Sequence, residues 1–264
     1  MGPARPVTER TPRAVGAETG LAPAFYATDR LARWPRLRDW WTVLHPPYTL
    51  WHLSYVVIGS CLVAPVDRTR LVATVLAFFL AVGVGAHALD EVHGRPLRTE
   101  IPAAALVVAG VLGIGGAAVI GLFGVARVGV GLVAFVAVGV VFAVGYNLEP
   151  FGGRLHTDSV FAVSWGAFPV VTGYYAQHER LTPAALVAAA FAFFLSRAQR
   201  QLSTPARLLR RKTSGLDGRL VYHDGSTTVL DRATVLGPLE RALRALTCAT
   251  VALAGALAIA HPPR

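Results

Sequence analysis

The chain has 264 residues, of which 54% are hydrophobic and only 15% are charged. Soluble domains carry about 25% charged residues, so this composition excludes an ordinary soluble protein and predicts an integral membrane protein. The formal net charge of +10 would suit nucleic acid, but the positions of the charges give them another role. Cys61 and Cys248 lie in apolar runs without a CxxC spacing, which predicts free thiols.

The N-terminal 45 residues contain two stretches of different character. Residues 1–23 are rich in proline and poor in large apolar side chains, which predicts a disordered tail. Residues 24–45 combine three tryptophans with four arginines, namely Trp34, Trp40, Trp41, Arg30, Arg33, Arg36 and Arg38. This composition is typical of an amphipathic helix at the membrane interface. An ordered cap on a helix bundle fits it equally well.

Seven apolar segments follow, at 46–65, 71–90, 102–123, 128–147, 158–177, 182–200 and 238–260. Each approaches the roughly 20 residues that a helix needs to cross the hydrocarbon core, so they predict an all-α, multi-pass transmembrane helical bundle of about seven spans. Six spans form a membrane bundle over residues 46–200, a basic cytoplasmic loop covers 201–237, and the last transmembrane helix and tail cover 238–264. Two β-prone runs around Gly225 predict a small hairpin in the loop.

The basic residues predict an orientation in the membrane. With the N-terminus in the cytoplasm, 20 of the 25 lysines and arginines lie in inner segments and 5 in outer ones. Cytoplasmic loops carry an excess of Lys and Arg. The prediction is therefore a cytoplasmic N-terminus and a C-terminus on the opposite side. The same asymmetry explains the net charge without nucleic acid as a partner.

Three polar groups fall on the predicted cytoplasmic side, at the ends of spans two, four and six. They are His87, Asp90, Glu91, His93, Arg95 and Arg98; then Tyr146, Asn147, Glu149, Arg154, His156 and Asp158; then Arg197, Gln199, Arg200, Gln201 and the basic residues of 207–212. Acids and arginines that converge at one face of a bundle suit a polyanionic ligand with an apolar tail. Carboxylates hold Mg²⁺, the metal bridges phosphate oxygens, and arginines bind the remaining charge.

Residues 45–212 resemble the UbiA superfamily of intramembrane prenyltransferases. His45-Pro46-Pro47-Tyr48-Thr49-Leu50 is similar to the opening RPxTL of that family, and Asp90-Glu91 lies where its first motif, NDxxDxxxD, lies. Gly94-Arg95-Pro96-Leu97 is similar to the RPL that follows this motif. The stretch 146–177, with Gly173-Tyr174-Tyr175 and Gln177, resembles the menaquinone-type members, which act on dihydroxynaphthoate.

The resemblance implies Mg²⁺-dependent chemistry of prenyl diphosphates. The prenyl group would pass to an aromatic or quinone precursor, or cyclise, with membrane lipid around the protein. Asp90 and Glu91 would be the catalytic and metal-binding residues. The implied substrate-binding residues are His87, Arg95, Arg98, Tyr146, Asn147, Glu149, Asp158, Arg197 and Arg200.

The sequence also departs from the family pattern. If His87 aligns with the Asn of the first motif, Ala88 stands at its first Asp and Arg95 at its third. The second motif, NxxxDxxxD, falls near 196–203, where no carboxylate occurs, and the chain has seven predicted spans instead of nine. These departures favour an alternative, a non-catalytic UbiA-like scaffold that binds an isoprenoid, a quinone or a protein partner.

Two further functions have less support. A lipid hydroxylase or hydrolase built on histidines would need HxxxH, HxxHH or HExxH spacing, which the eight histidines lack. A transporter would favour a charge in the middle of a span, and none occurs there.

Overall fold

The computed structural model describes residues 22–27, 33–149, 152–262 and 264, and 73% of these residues are helical. The predicted disordered tail falls almost entirely outside the described residues. Eight helices occur in the described part of the chain. They are α1 (Pro35–Val43), α2 (Pro46–Cys61), α3 (Arg68–Val92), α4 (Ala103–Val128), α5 (Leu132–Asn147), α6 (158–178), α7 (Pro183–Arg211) and α8 (Arg232–Ala260).

The predominantly helical fold is confirmed, and each of the seven apolar segments forms most of one helix, from α2 to α8. Three helices, α3, α4 and α8, are long and apolar enough to cross a membrane, while α5 is apolar but shorter. The chain therefore has the character of a membrane protein, and the count of seven spans stays a prediction. The hairpin is also confirmed, because β1 (Arg219–Val221) pairs antiparallel with β2 (Thr227–Val229).

The predicted loop 201–237 is helical at both ends. Helix α7 continues through Pro205 to Arg211, and α8 begins at Arg232, capped by the side chain of Asp231, which accepts a hydrogen bond from Thr234 N at 2.7 Å. The basic residues at the end of α7 thus remain on a helix that packs into the bundle, because Ala206 contacts Leu236 and Leu243 of α8.

Helix α2 occupies the centre of the bundle. Its residues Trp51, Tyr55 and Ile58 are buried against α6, α7 and α8. The indole of Trp51 donates a hydrogen bond to the Tyr55 hydroxyl at 2.6 Å, and Ser196 of α7 donates to the same hydroxyl at 3.2 Å. The Tyr55 hydroxyl in the apolar interior is therefore paired, as most buried polar groups are.

Glycine allows α2 and α6 to approach closely. A Cβ at Gly59 would overlap the backbone carbonyl oxygen of Val170, and a Cβ at Gly173 would overlap that of Val56. Small residues at helix crossings in membranes serve this purpose. The glycines thus bring the backbones of α2 and α6 into direct contact.

We predict that Gly59→Ala lowers the free energy of unfolding by about 1–3 kcal/mol, because the added methyl forces two helix backbones apart. Gly255→Ala is the matched control, since a Cβ at Gly255 meets no atom within 4 Å. Its expected effect is neutral, or stabilising by up to about 1 kcal/mol through helix propensity. Thermal unfolding in detergent measures both, and equal melting temperatures for the two variants would contradict the close crossing.

Two helices contain π-helical turns that face each other across the bundle. Phe79–Ala86 lies within α3, and Val163–Ala167 lies within α6. Val82 and Ala86 of the first segment pack in one buried cluster with Trp165 of the second. Turns of this kind are rare and occur often at functional sites, and these two border the cavity described next.

Candidate functional site

A cavity of about 680 Å³ lies at the end of the bundle where α3, α5 and α7 end and α2 begins. This volume is within the range of ligand pockets, roughly 300–1,000 Å³. We call it the basic cavity, because the described residues that line it include seven basic and three acidic side chains. The basic ones are Arg95, Arg98, Arg200, Arg207, Arg210, Arg211 and Lys212, and the acidic ones are Asp90, Glu149 and Glu240. With neutral histidines, the lining has an excess of four positive charges, which favours a polyanion.

Two arginines of the lining are held by carboxylates. Arg210 makes a two-point ion pair with Glu240 of α8, and Arg200 Nε lies 2.8 Å from Asp158 Oδ1. The guanidinium of Arg200 also lies over the ring of Phe161, 5.1 Å from its centroid. These pairs fix α7 against its neighbours and leave less charge available to a ligand.

Arg207 differs from both of these residues. Among the described residues its guanidinium donates one hydrogen bond, to Thr204 Oγ1 at 3.3 Å, and forms no ion pair. Burial, followed by the charge of Arg200, lowers the pKa of Arg207, although an arginine stays protonated in proteins. Arg207 is thus a poorly solvated cation at the cavity wall, and an anionic ligand would neutralise its charge.

The loop after α3 brings two more arginines to the cavity. Arg95 and Arg98 both adopt positive φ, 50° and 56°, which is unusual for residues other than glycine. Arg95 Nη1 donates to the carbonyl of Ile101 at 2.6 Å, and Arg98 Nη2 donates to that of Arg211 at 3.2 Å. Neither guanidinium has a carboxylate partner among the described residues, so both keep a net charge for a ligand.

Glu91 holds this loop in place. Its carboxylate is fully buried and accepts hydrogen bonds from Leu97 N at 2.9 Å, from Thr99 N at 2.9 Å and from Thr99 Oγ1 at 2.8 Å. Asp39 of α1 accepts a fourth, from Glu100 N at 2.8 Å. Glu91 does not line the basic cavity, and its oxygens are engaged by the loop.

Asp90 is the one member of the Asp-Glu pair that lines the cavity. It lies within electrostatic range of Arg207 and Arg211. The described residues contain no group of three or more His, Cys, Asp and Glu side chains arranged to hold a metal ion, and the segment 196–203 contributes Gln199 and Arg200 in place of carboxylates. The residues present therefore do not fit the two-motif magnesium site that the resemblance implies.

Aromatic side chains also line the cavity, among them those of Tyr26, His45 and His87. His45 stacks on His87 with ring centroids 4.4 Å apart, and Tyr26 lies 5.4 Å from the His45 ring. Burial lowers the pKa of His45 to about 4, so this imidazole is neutral at physiological pH. Its Nδ1 lies 2.7 Å from the carbonyl of Val43, which leaves Nε2 as a hydrogen-bond acceptor.

Part of the cavity lining is apolar, and we call this part the floor. Val82, Phe161, Trp165 and Leu243 line it, together with the ring of Tyr146. The hydroxyls of Tyr146 and Tyr26 and the Oε1 of Gln199 are buried and have no hydrogen-bond partner among the residues that the structure describes. Because unpaired buried polar atoms are uncommon in folded proteins, side chains of this kind at a cavity wall indicate a place for a polar ligand or for water.

The basic cavity brings together eight of the eleven site residues predicted from the sequence. They are His87, Asp90, Arg95, Arg98, Tyr146, Asn147, Glu149 and Arg200. Glu91, Asp158 and Arg197 lie outside it. Asp158 is an ion-pair partner of Arg200, and Arg197 donates to Ser159 Oγ at 3.3 Å.

The sequence-based site lacked several residues of the cavity, among them Tyr26, His45, Tyr48, His52 and Arg207. His52 follows His45 by seven residues, and Arg207 follows Arg200 by seven residues. Residues two helical turns apart lie on one face of a helix, so this spacing could have predicted His45, His52 and Arg207 as members of the site. Tyr26 has no such signal.

Protein-family models, curated proteins and solved structures were compared with the chain, and none matches it. Membership of the UbiA superfamily therefore stays a prediction.

Proposed function

We propose that this protein is a UbiA-like integral membrane enzyme that binds a prenyl diphosphate in the basic cavity and transfers or cyclises the prenyl group. The observation that supports this function is the mixed lining of the cavity, which combines an excess of four positive charges with apolar and aromatic side chains. A diphosphate with a hydrocarbon tail matches both kinds of lining, whereas a soluble nucleotide or sugar phosphate would leave the apolar floor without a partner.

The chemistry begins with cleavage of the bond between C1 of the prenyl chain and the diphosphate oxygen. The electron pair of that bond leaves with the diphosphate, whose growing negative charge the guanidiniums of Arg95, Arg98 and Arg207 stabilise. The allylic cation that remains is stabilised by the faces of Tyr146 and Trp165 at the cavity floor. An aromatic or quinone precursor then captures it, or a double bond of the same chain does.

The proposed topology has seven spans, with the N-terminus in the cytoplasm and the C-terminus on the opposite side. The excess of Lys and Arg in the segments that border the basic cavity supports this orientation. In it, the cavity opens toward the cytoplasm, where water-soluble diphosphate can leave, and the floor points toward the hydrocarbon core. Membrane lipid surrounds the apolar helices.

Magnesium enters the proposal only through Asp90, the one carboxylate of the first motif that lines the cavity. A single carboxylate plus substrate phosphates is a common way to bind Mg²⁺. The arginines alone stabilise the leaving diphosphate in the chemistry above, so no step depends on Mg²⁺. The binding test therefore compares samples with and without the metal.

The alternative is a non-catalytic scaffold that binds an isoprenoid, a quinone or a protein partner through the same cavity. Two observations favour it, the engagement of Glu91 by the loop at 97–99 and the absence of a carboxylate in 196–203. Binding and turnover therefore have to be measured separately.

The test of binding is the melting temperature of the purified protein with geranylgeranyl diphosphate, with and without Mg²⁺. A ligand at 100 times its Kd adds roughly 2.7 kcal/mol of stability, which is a shift of several degrees. We expect a shift without Mg²⁺, through the arginines, and a further shift with Mg²⁺ that Asp90→Asn removes. Asp217→Asn, an exposed acid in the loop after α7, is the matched control.

Three outcomes separate the hypotheses. A shift accompanied by release of diphosphate supports the enzyme, and a shift without turnover supports the scaffold. No shift with any prenyl diphosphate would disprove the enzyme and favour the scaffold that binds a quinone or a protein partner. A Mg²⁺-dependent shift that survives in Asp90→Asn would remove this residue from metal binding.

A further inference from the structure

The loop after α5 brings a histidine and a carboxylate together at the wall of the basic cavity. His156 Nδ1 lies 3.0 Å from Glu149 Oε1, and both side chains line the cavity while about one third of each remains exposed. Asp90 lines the same cavity. A histidine and its carboxylate thus stand beside the position proposed for the diphosphate.

The backbone and a ring stack fix the geometry of this pair. Glu149 has a φ of 49°, a left-handed conformation that is unfavourable for a residue with a side chain and is retained mostly where function requires it. His156 N donates to the carbonyl of Gly153 at 2.8 Å, and the His156 ring stacks on Tyr146 with centroids 4.4 Å apart. The imidazole is therefore held by a carboxylate and an aromatic face, and a hydrogen bond fixes the backbone that carries it.

The neighbours of His156 assign its tautomer. Nδ1 faces the carboxylate of Glu149 and, at 3.3 Å, the carbonyl of Tyr146. Both of these groups only accept hydrogen bonds, so Nδ1 carries the hydrogen. In the neutral imidazole, Nε2 then carries the lone pair, and it makes no hydrogen bond to a described residue. A carboxylate that orients an imidazole in this way is the usual arrangement of a general base.

We propose that His156 is a catalytic proton acceptor and that Glu149 is its positioning residue. This inference rests on the proposed function. Both transfer to an aromatic ring and cyclisation end when a carbon next to the cationic centre loses a proton. The C–H bond breaks, its electron pair forms the carbon–carbon double bond of the product, and the proton passes to Nε2 of His156. The Glu149 carboxylate stabilises the resulting imidazolium, which later releases the proton to water.

The test uses His156→Asn in the full-length protein, with geranylgeranyl diphosphate as donor and 1,4-dihydroxynaphthalene as acceptor. The asparagine amide keeps an N–H donor near Glu149 but has no basic nitrogen. We expect turnover to fall by about 10²–10⁴-fold, the usual contribution of a general base, while the melting-temperature shift with geranylgeranyl diphosphate stays the same. Deuterium on the acceptor ring should slow the variant more than the wild type, because proton removal becomes rate-limiting.

Glu149→Gln should reduce turnover with the same enhanced deuterium effect, which loss of a purely structural pair would not produce. His223→Asn is the matched control, since His223 is exposed in the turn of the distant hairpin, and it should behave as the wild type. Wild-type turnover in His156→Asn would overturn this inference alone. Wild-type protein that binds the diphosphate but forms no product would overturn the proposed chemistry together with the inference.

Discussion

Replacing Arg207 with methionine is expected to weaken binding of geranylgeranyl diphosphate by about 10- to 100-fold. A hydrogen bond to a charged group contributes about 1.5–3 kcal/mol, and each 1.4 kcal/mol corresponds to a factor of ten in Kd. Arg207 has no ion pair among the described residues and is available to the ligand, whereas Arg210 is already neutralised by Glu240. Isothermal titration in detergent measures the change.

The same substitution should raise the stability of the ligand-free protein, by about 1 kcal/mol, because methionine replaces a poorly solvated cation with an apolar side chain of similar length. Opposite effects on binding and on stability are the mark of a residue retained for function. Arg197→Met is the matched control, since Arg197 lies on the same helix but outside the cavity. Equal losses of affinity in the two variants, or none in Arg207→Met, would contradict the role of Arg207.

Much of the helical architecture could be predicted from the sequence, because apolar segments near the length of a membrane span allow few other structures. The convergence of the three polar groups could also be predicted from the sequence, because residues at the same ends of neighbouring helices lie close together. Arg200 illustrates the limit of this reasoning. The sequence placed it near a ligand, but its pairing with Asp158 and its contact with Phe161 depend on how α6 and α7 pack.

Local sequence could not separate the roles of Asp90 and Glu91. Successive residues of a helix point about 100° apart, so two neighbours face different surroundings, and the rotation of α3 decides which of them faces the cavity. Arg207 presents the opposite case. The sequence predicted that this residue lies in a basic cytoplasmic loop, but α7 continues to Arg211 and brings it to the cavity lining.

Glu91→Gln is expected to lower the free energy of unfolding by about 2–3 kcal/mol. The amide has the shape of the carboxylate, but its NH₂ group donates hydrogen bonds and cannot accept them. In the variant this group must face a backbone N–H that donates to a carboxylate oxygen in the wild type. At least one N–H, of Leu97 or Thr99, is left without a partner, and each such buried group costs about 1–3 kcal/mol. Glu100→Gln is the matched control in the same loop, since its side chain is exposed. Its effect should stay within about 0.5 kcal/mol.

Trypsin provides a readout that separates loop positioning from metal binding. The bond between Arg98 and Thr99 is the one tryptic site of the loop at 94–100, because Arg95 precedes a proline. Thr99 N is bound to Glu91, and protected backbone must open before a protease can cut it. Glu91→Gln should therefore be cleaved at this bond faster than the wild type or Glu100→Gln, and it should bind geranylgeranyl diphosphate more weakly both with and without Mg²⁺. Unchanged cleavage with loss of only the Mg²⁺-dependent binding would instead make Glu91 a metal ligand, and the loop would owe its shape to other contacts.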